Sequence, residues 1–197
     1  MHLYIVFAHP RHSSFTFQVL CAFIRGLEKA SHSYEIGDLY AINFQADLDA
    51  EQYARETGMN PDAPVPADVK MEQEKIESAD ALVFIYPVWW SDCPAKLKGW
   101  FDRVWTLGYA YSYQNGEHAS SKIHIQKALV ICPAGHPVDY LEKIGIAESM
   151  RQVMVQDRLL GVGIKSANME ILGGMVANDD AIRQKNLERA YQLGLEF

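Results

Sequence analysis

Short continuous apolar runs alternate along this chain with longer stretches in which apolar positions recur every three or four residues. Leu3–Ala8, Ala81–Tyr86 and Ala128–Ile131 are compact runs rich in β-branched and aromatic side chains. They are too short for helices, and each predicts a buried strand. Ser33–Leu39, apolar at Tyr34 and Ile36, predicts a strand nearer a sheet edge, and Ala167–Leu172 predicts a last strand. Between these runs the period is helical. Ser13 or Ser14 can cap a helix whose inner face includes Phe17, Leu20, Ile24 and Leu27. Pro94 fits a first helical turn with Asp92 as its cap, and Leu97, Trp100, Phe101, Val104 and Trp105 give that helix a buried face. Val69–Ser78 predicts a solvated helix, Tyr140–Leu160 a mostly helical stretch and Asp179–Leu193 a closing helix. Tyr40–Pro66 is irregular and acidic, with a short helix expected around Asp49–Glu56. Gly108–Lys122 is rich in tyrosine, glycine and serine.

Strands alternating with helices, and central strands apolar throughout, predict an α/β fold whose parallel sheet is covered on both faces. A five-stranded doubly wound sheet fits, in either the flavodoxin-like order 2-1-3-4-5 or the dinucleotide-binding order. At 197 residues and 49% hydrophobic composition the chain is read as a single domain over residues 1–197. Its net charge of −7 argues against nucleic acid as a partner. No apolar stretch reaches the length of a membrane span, and the first residues read as a strand, not a signal peptide. Cys21, Cys93 and Cys132 are widely spaced, which disfavours a disulfide framework or a zinc site and fits a reducing cytoplasm. Cys93 reads as a small space-filler. His118 and His124 lack partners at ligand spacing, so no metal is expected.

The candidate chemistry sits in three loops. The first, Ala8–Thr16, has neither a GxGxxG fingerprint nor a lysine-bearing phosphate loop. Its hydroxyls at Ser13, Ser14 and Thr16 stand where a helix begins, beside His9, Arg11 and His12. That composition suits a phosphate or an ordinary serine-capped polar turn. The second, Pro87–Pro94, places Trp89 and Trp90 between a strand end and a helix start, where open α/β sheets bind ligands. The third, Cys132–Tyr140, offers the small pair Ala134-Gly135, which lets backbone approach a ligand. In the flavodoxin-like order all three gather at one sheet edge, and together they describe a phosphate-bearing planar cofactor, a flavin.

At this point the residues resemble the NAD(P)H:quinone oxidoreductases of the flavodoxin-like fold. That family includes DT-diaphorases, modulators of drug activity and ancillary subunits of potassium efflux systems. The most specific match is Tyr86–Val104, with Pro87, Trp90, Pro94, Ala95, Leu97 and Lys98-Gly99-Trp100 in register. Ala8, His9, Ser14 and Phe15 match a second motif, and Asp38–Phe44 a third. The resemblance implies non-covalent FAD, with FMN as the shorter alternative. His9, Ser14, Phe15 and Thr16 would hold its phosphates, Pro87, Val88, Trp89 and Trp90 would line the ring, and Cys132, Ala134, Gly135 and Tyr140 would cover the pyrimidine side. It further implies NAD(P)H as hydride donor, a quinone acceptor, ping-pong transfer, and a homodimer in which Tyr111 and Tyr113 reach the partner's pocket. Tyr140 is the candidate stabiliser of charge on reduced flavin. A histidine of the animal enzymes is replaced here by Ile146, leaving no relay, or one through His136 or water. Ser91 replaces an aromatic and opens the acceptor pocket. The rival readings are a regulatory subunit bound to a membrane transporter and a flavodoxin-type electron carrier.

Overall fold

The computed structural model describes residues 1–114, 117–119 and 121–197, without the side chains of residues 113, 114 and 117–119. The strands are β1 (His2–Phe7), β2 (Ser33–Asp38), β3 (Ala81–Ile85), β4 (Ser112–Gln114), β5 (Glu117–Ala119), β6 (Lys127–Pro133) and β7 (Ser166–Leu172). Five of them form one sheet in the order β2-β1-β3-β6-β7, and β4 and β5 pair as a separate hairpin. Every pairing in the large sheet is parallel. Counted within that sheet the order is 2-1-3-4-5, the flavodoxin-like one of the two alternatives.

Successive side chains of a strand face opposite ways, so a strand covered on both sides must be apolar at every position. Tyr4, Val6, Leu82, Phe84, Ala128 and Val130 enter one core, which includes Leu97, Trp100, Phe101 and Val104 of α4 (Ala95–Val104). Leu3, Ile5, Phe7, Ala81, Val83, Ile85, Leu129 and Ile131 enter the other, against α1 (Phe15–Lys29) and α7 (Asp180–Leu195). Helices α1 and α7 touch backbone to backbone. A Cβ on Gly26 would lie 2.2 Å from the Tyr191 carbonyl oxygen, and one on Gly194 would lie 2.2 Å from that of Phe23.

The acidic segment from residue 40 to residue 66 holds α2 (Ala50–Thr57) and runs along α4. The buried Arg103 donates to the Gln52 side chain (2.9 Å) and the Gln45 carbonyl (2.7 Å), and pairs with Asp68. Arg55 donates to the carbonyls of Ala63 (3.0 Å) and Leu107 (3.1 Å), and Glu56 accepts from Leu107 N–H (2.7 Å). The short helix expected in this segment is present. These arginines anchor the segment on α4 and the residues that follow.

Helix α3 (Ala67–Ser78) corrects the expectation of a solvated helix. Val69, Glu72, Gln73 and Ile76 are buried. Glu72 accepts from the Tyr4 hydroxyl, from Trp100 Nε1 (2.7 Å) and from Lys75 Nζ (2.7 Å). Burial and the neighbouring Glu72 push the Tyr4 phenol well above its ordinary pKa. A polar pattern looks solvated in sequence even when its groups satisfy one another inside. The stretch Tyr140–Leu160 is also more varied than one helix. It comprises α5 (Val138–Lys143), a break at left-handed Gly145 (φ 78°), α6 (Ile146–Arg151), a π-helical segment Gln152–Leu159 and a short 3-10 turn.

Candidate functional site

The parallel register sets the last residues of β1 and β3, Phe7 and Ile85, in a row with Ile131, two residues before β6 ends at Pro133. The three loops therefore leave the sheet at one edge. In the first, Ser14 caps α1: its Oγ accepts from Phe17 N–H (3.1 Å), and its own N–H donates to the Arg11 carbonyl (3.2 Å). The N–H groups of Phe15 and Thr16, in the open first turn, have no protein partner among the described residues. Phe15 is half-buried under the Arg183 guanidinium, 5.3 Å from its ring, while Thr16 is buried. His9 accepts the Arg11 N–H at Nδ1 (3.0 Å), and burial lowers its pKa. His12 is held by Asp38 at 2.6 Å.

The His9 and Trp89 rings lie 6.0 Å apart, joining the first loop to the second. Val88 N–H donates to the Pro133 carbonyl (2.8 Å), joining the second to the third. Within the second loop, Trp89 and Asp92 exchange backbone hydrogen bonds of 3.0 and 3.2 Å around Trp90 and Ser91. Both central residues have positive φ, 50° and 64°. That pair of signs marks a type I′ turn, whose usual occupants are Asn and Gly. The turn leaves Trp90 fully exposed (102%) and Trp89 partly so (43%), while Pro87 is buried. The N–H groups expected to face a ligand are redistributed. Those of Val88 and Trp89 are spent internally, whereas those of Trp90 and Ser91 are free among the described residues.

Asp92 is not a helix cap, and this corrects the sequence reading. Pro94 occupies the cap position without a side-chain bond. The Asp92 carboxylate instead accepts from Cys93 N–H (2.7 Å) and from both terminal nitrogens of Arg158 (2.8 and 3.0 Å). Burial alone would raise the Asp92 pKa, but the hydrogen bonds and charge of Arg158 outweigh it and hold the carboxyl below its ordinary range. Sequence reasoning missed Arg158. It sits in the π-helical segment, and a 3.6-residue period assigns no direction to a side chain there.

In the third loop Ala134 N–H donates to the Leu172 carbonyl (3.0 Å), and the Gly135 carbonyl accepts from Val176 N–H (3.1 Å). A Cβ on Gly135 would meet the Val176 side chain at 2.9 Å. The Gly135 and His136 N–H groups have no partner among the described residues. Tyr140, 45% exposed in α5, stands with its ring 5.0 Å from that of His136. Cys132 is enclosed in the core with its thiol toward the Glu170 carbonyl (3.7 Å), so only its backbone belongs to the loop edge. Ile146 opens α6 and packs on the core. Tyr111 lines a cavity of about 510 Å³ with Phe101, Trp105 and Arg158, to which Trp90 and Ser91 do not contribute. The Tyr113 and His118 side chains lie outside the described residues. The loop edge thus presents free N–H donors from three loops around exposed flat aromatic surface, an arrangement that can take an anion at α1 and a planar heteroaromatic ring beside it.

Residues 1–193 match the family described as having a flavodoxin-like fold. The chain belongs to that family. Among solved structures, the flavodoxin-like chain is similar to an NAD(P)H:quinone oxidoreductase from Methanothermobacter marburgensis. The two are 58% identical, with a TM-score of 0.95, over 100% of this chain and 96% of that one. It is also 30% identical to an uncharacterised NAD(P)H oxidoreductase of Haemophilus influenzae, over 95% of this chain and 91% of the relative. A third relative, NAD(P)H dehydrogenase [quinone] 1 of Cavia porcellus, is 34% identical over 55% of this chain. There the match spans only 44% of the relative's length. No helix among the described residues is long and apolar enough to cross a membrane.

Proposed function

We propose that this flavodoxin-like protein is a flavin-dependent NAD(P)H:quinone oxidoreductase. The observations that carry the reading are free N–H donors on three loops that leave the sheet at one edge, the second of them bearing the exposed Trp90 ring, in a chain 58% identical to a protein bearing that name. When bound, flavin supplies two-electron hydride chemistry that side chains cannot. The cofactor is proposed as FAD, with FMN as the alternative, and the donor as NAD(P)H.

The residues present fit such a group. Phe15 and Thr16 N–H, with the Ser14 hydroxyl and His9, would hold a phosphate at the α1 N-terminus. Pro87, Val88, Trp89 and Trp90 wall the ring, and Trp90 and Ser91 N–H grip one edge. Gly135 and His136 N–H and the Tyr140 hydroxyl meet the opposite edge, where negative charge develops, and act as an oxyanion hole does. Ala134 keeps that side shallow. Because Ile146 cannot carry a proton, His136, whose ring lies 5.0 Å from that of Tyr140, is proposed to relay a proton from solvent toward the Tyr140 hydroxyl, which stays protonated as a donor. Ser91 leaves the acceptor side open. Tyr111 and Tyr113 of a second copy would close it, which makes the functional unit a homodimer and the reaction ping-pong.

The test is an anaerobic titration of FAD-reconstituted protein with NADPH and NADH, followed in the visible spectrum. Direct bleaching to the two-electron form, reversed by a quinone, supports the reading. A persistent one-electron species would favour an electron carrier. A bound flavin that neither nucleotide bleaches would favour a regulatory subunit, and absence of flavin binding would refute the three-loop site.

A further inference from the structure

The second loop is strained, and something outside it must hold its shape. Two adjacent non-glycine residues, Trp90 and Ser91, sit at φ 50° and 64°. L-residues with a Cβ are strained in that region. The local bonds that oppose this are the two backbone bonds between Trp89 and Asp92. The Asp92 side chain reaches out of the turn to a two-pronged pair with Arg158, 66 residues away. Arg158 is itself fixed. Its carbonyl accepts from Trp105 Nε1 (2.9 Å), and its guanidinium lies 5.5 Å from the Phe101 ring centre and 3.6 Å from the Cys93 sulfur. Its side chain is 10% exposed. Such fork-on-fork pairs fix orientation as well as distance.

We propose that Arg158 is a positioning residue, acting through Asp92 to clamp the left-handed turn so that the free Trp90 and Ser91 N–H groups and the Trp90 ring are aimed at a flavin. The ligand in this inference rests on the function proposed above; the clamp does not. The π-helical segment has a part in it, because its wide turns set the direction in which Arg158 leaves the helix.

The experiment compares Arg158→Gln, Asp92→Asn, their double variant, and Arg158→Gln with Ser91→Gly. Arg189→Gln, which breaks the equally two-pronged Arg189–Glu170 pair elsewhere, serves as control. Amide exchange at Trp89 and Asp92 is measured without ligand, then the dissociation constant and midpoint potential of FMN and FAD. Each single variant is expected to speed exchange at these amides on the order of tenfold by local opening. Each should also weaken flavin binding by a similar factor and lower the midpoint potential of what binds. The double variant should add little, since the two residues act as one unit. Ser91→Gly should restore exchange protection to Arg158→Gln, because glycine holds positive φ without a clamp. Unchanged exchange in Arg158→Gln, or no rescue by Ser91→Gly, would overturn the clamp. A clamp confirmed by exchange in a protein that binds no flavin would overturn the ligand reading alone. An equal fall in affinity and potential in Arg189→Gln would show a general loss of stability and also overturn the inference.

Discussion

Removing Trp90 should make this protein more stable. Truncating a tryptophan ordinarily costs about 3–5 kcal/mol because a buried indole is lost. Trp90 is 102% exposed and buries nothing within the chain, yet it holds φ at 50°. Asparagine tolerates the left-handed region and is favoured at the first central position of a type I′ turn. Trp90→Asn therefore relieves part of the backbone strain at no packing cost, a gain of roughly 0.5–1 kcal/mol. With an unfolding entropy of about 2.1 cal/mol/K per residue, a chain of 197 residues loses stability near its midpoint at about 0.4 kcal/mol per degree. The expected rise in Tm is thus about 1–3 °C. The assay is calorimetry on flavin-free protein at two concentrations tenfold apart, with flavin affinity measured alongside. Affinity should fall if the ring forms one wall of the site, as proposed above. A Tm lowered by several degrees would refute the strain argument. If that loss also grew with protein concentration, it would place Trp90 in an interface between copies.

Gly26→Ala should destabilise by about 2–3 kcal/mol as an overpacked contact, because its Cβ would meet Tyr191 oxygen at 2.2 Å and Leu195 nitrogen at 2.7 Å; urea denaturation checks this. Glu72→Ala should cost at least about 3 kcal/mol, since it strands the buried Tyr4 hydroxyl and Trp100 N–H, and Tyr4→Phe should cost less in the same assay. Asp68 and Asp92 have depressed pKa values: burial opposes ionisation, but Arg103 and Arg158 outweigh it. Their stabilisation is therefore complete above the unfolded carboxylate pKa of about 3.9 and is lost as pH falls through the folded values. Midpoints measured from pH 7 to pH 3 should fall below about pH 4, and less steeply in Asp92→Asn.

The sheet was legible because burial on both faces leaves a continuous apolar signature at β1, β3 and β6, and β2, the edge strand, showed its thinner pattern; that pattern left two strand orders open, and the loops and the family resemblance pointed to the one observed. Helix α1 was legible down to a serine cap at position 13 or 14, and the structure uses Ser14. What stayed hidden depends on pairing across long sequence distance. Glu72, Gln73 and Arg103 look like surface residues until their long-range partners, 28 to 68 residues away, are in place. The candidate site divides the same way. The three loops could be named from position alone, but the donors could not. Pro87, Val88, Trp89 and Trp90 were expected to line a ring, but which N–H groups stay free depends on the fold, and those of Val88 and Trp89 bond to Pro133 and Asp92. Arg158 left no sequence signal, because a π-helical segment breaks the period by which side-chain direction is read.

The second loop also shows how strain and function divide along the chain. A turn of this shape is built at little cost by Asn-Gly. This chain uses Trp-Ser and supports it with an ion pair from a helix distant in sequence. If shape alone were required, the cheaper residues would serve and Arg158 would be free. Using costlier residues with a dedicated clamp makes sense only if the side chain at position 90 is needed, exposed, at that place. A fully solvated indole contributes no stability to its own chain, so what needs it must come from outside the chain: a planar ligand, a second copy, or both at once. The Trp90→Asn comparison separates these, since a lost ligand contact changes flavin affinity at any protein concentration, whereas a lost subunit contact changes Tm with concentration.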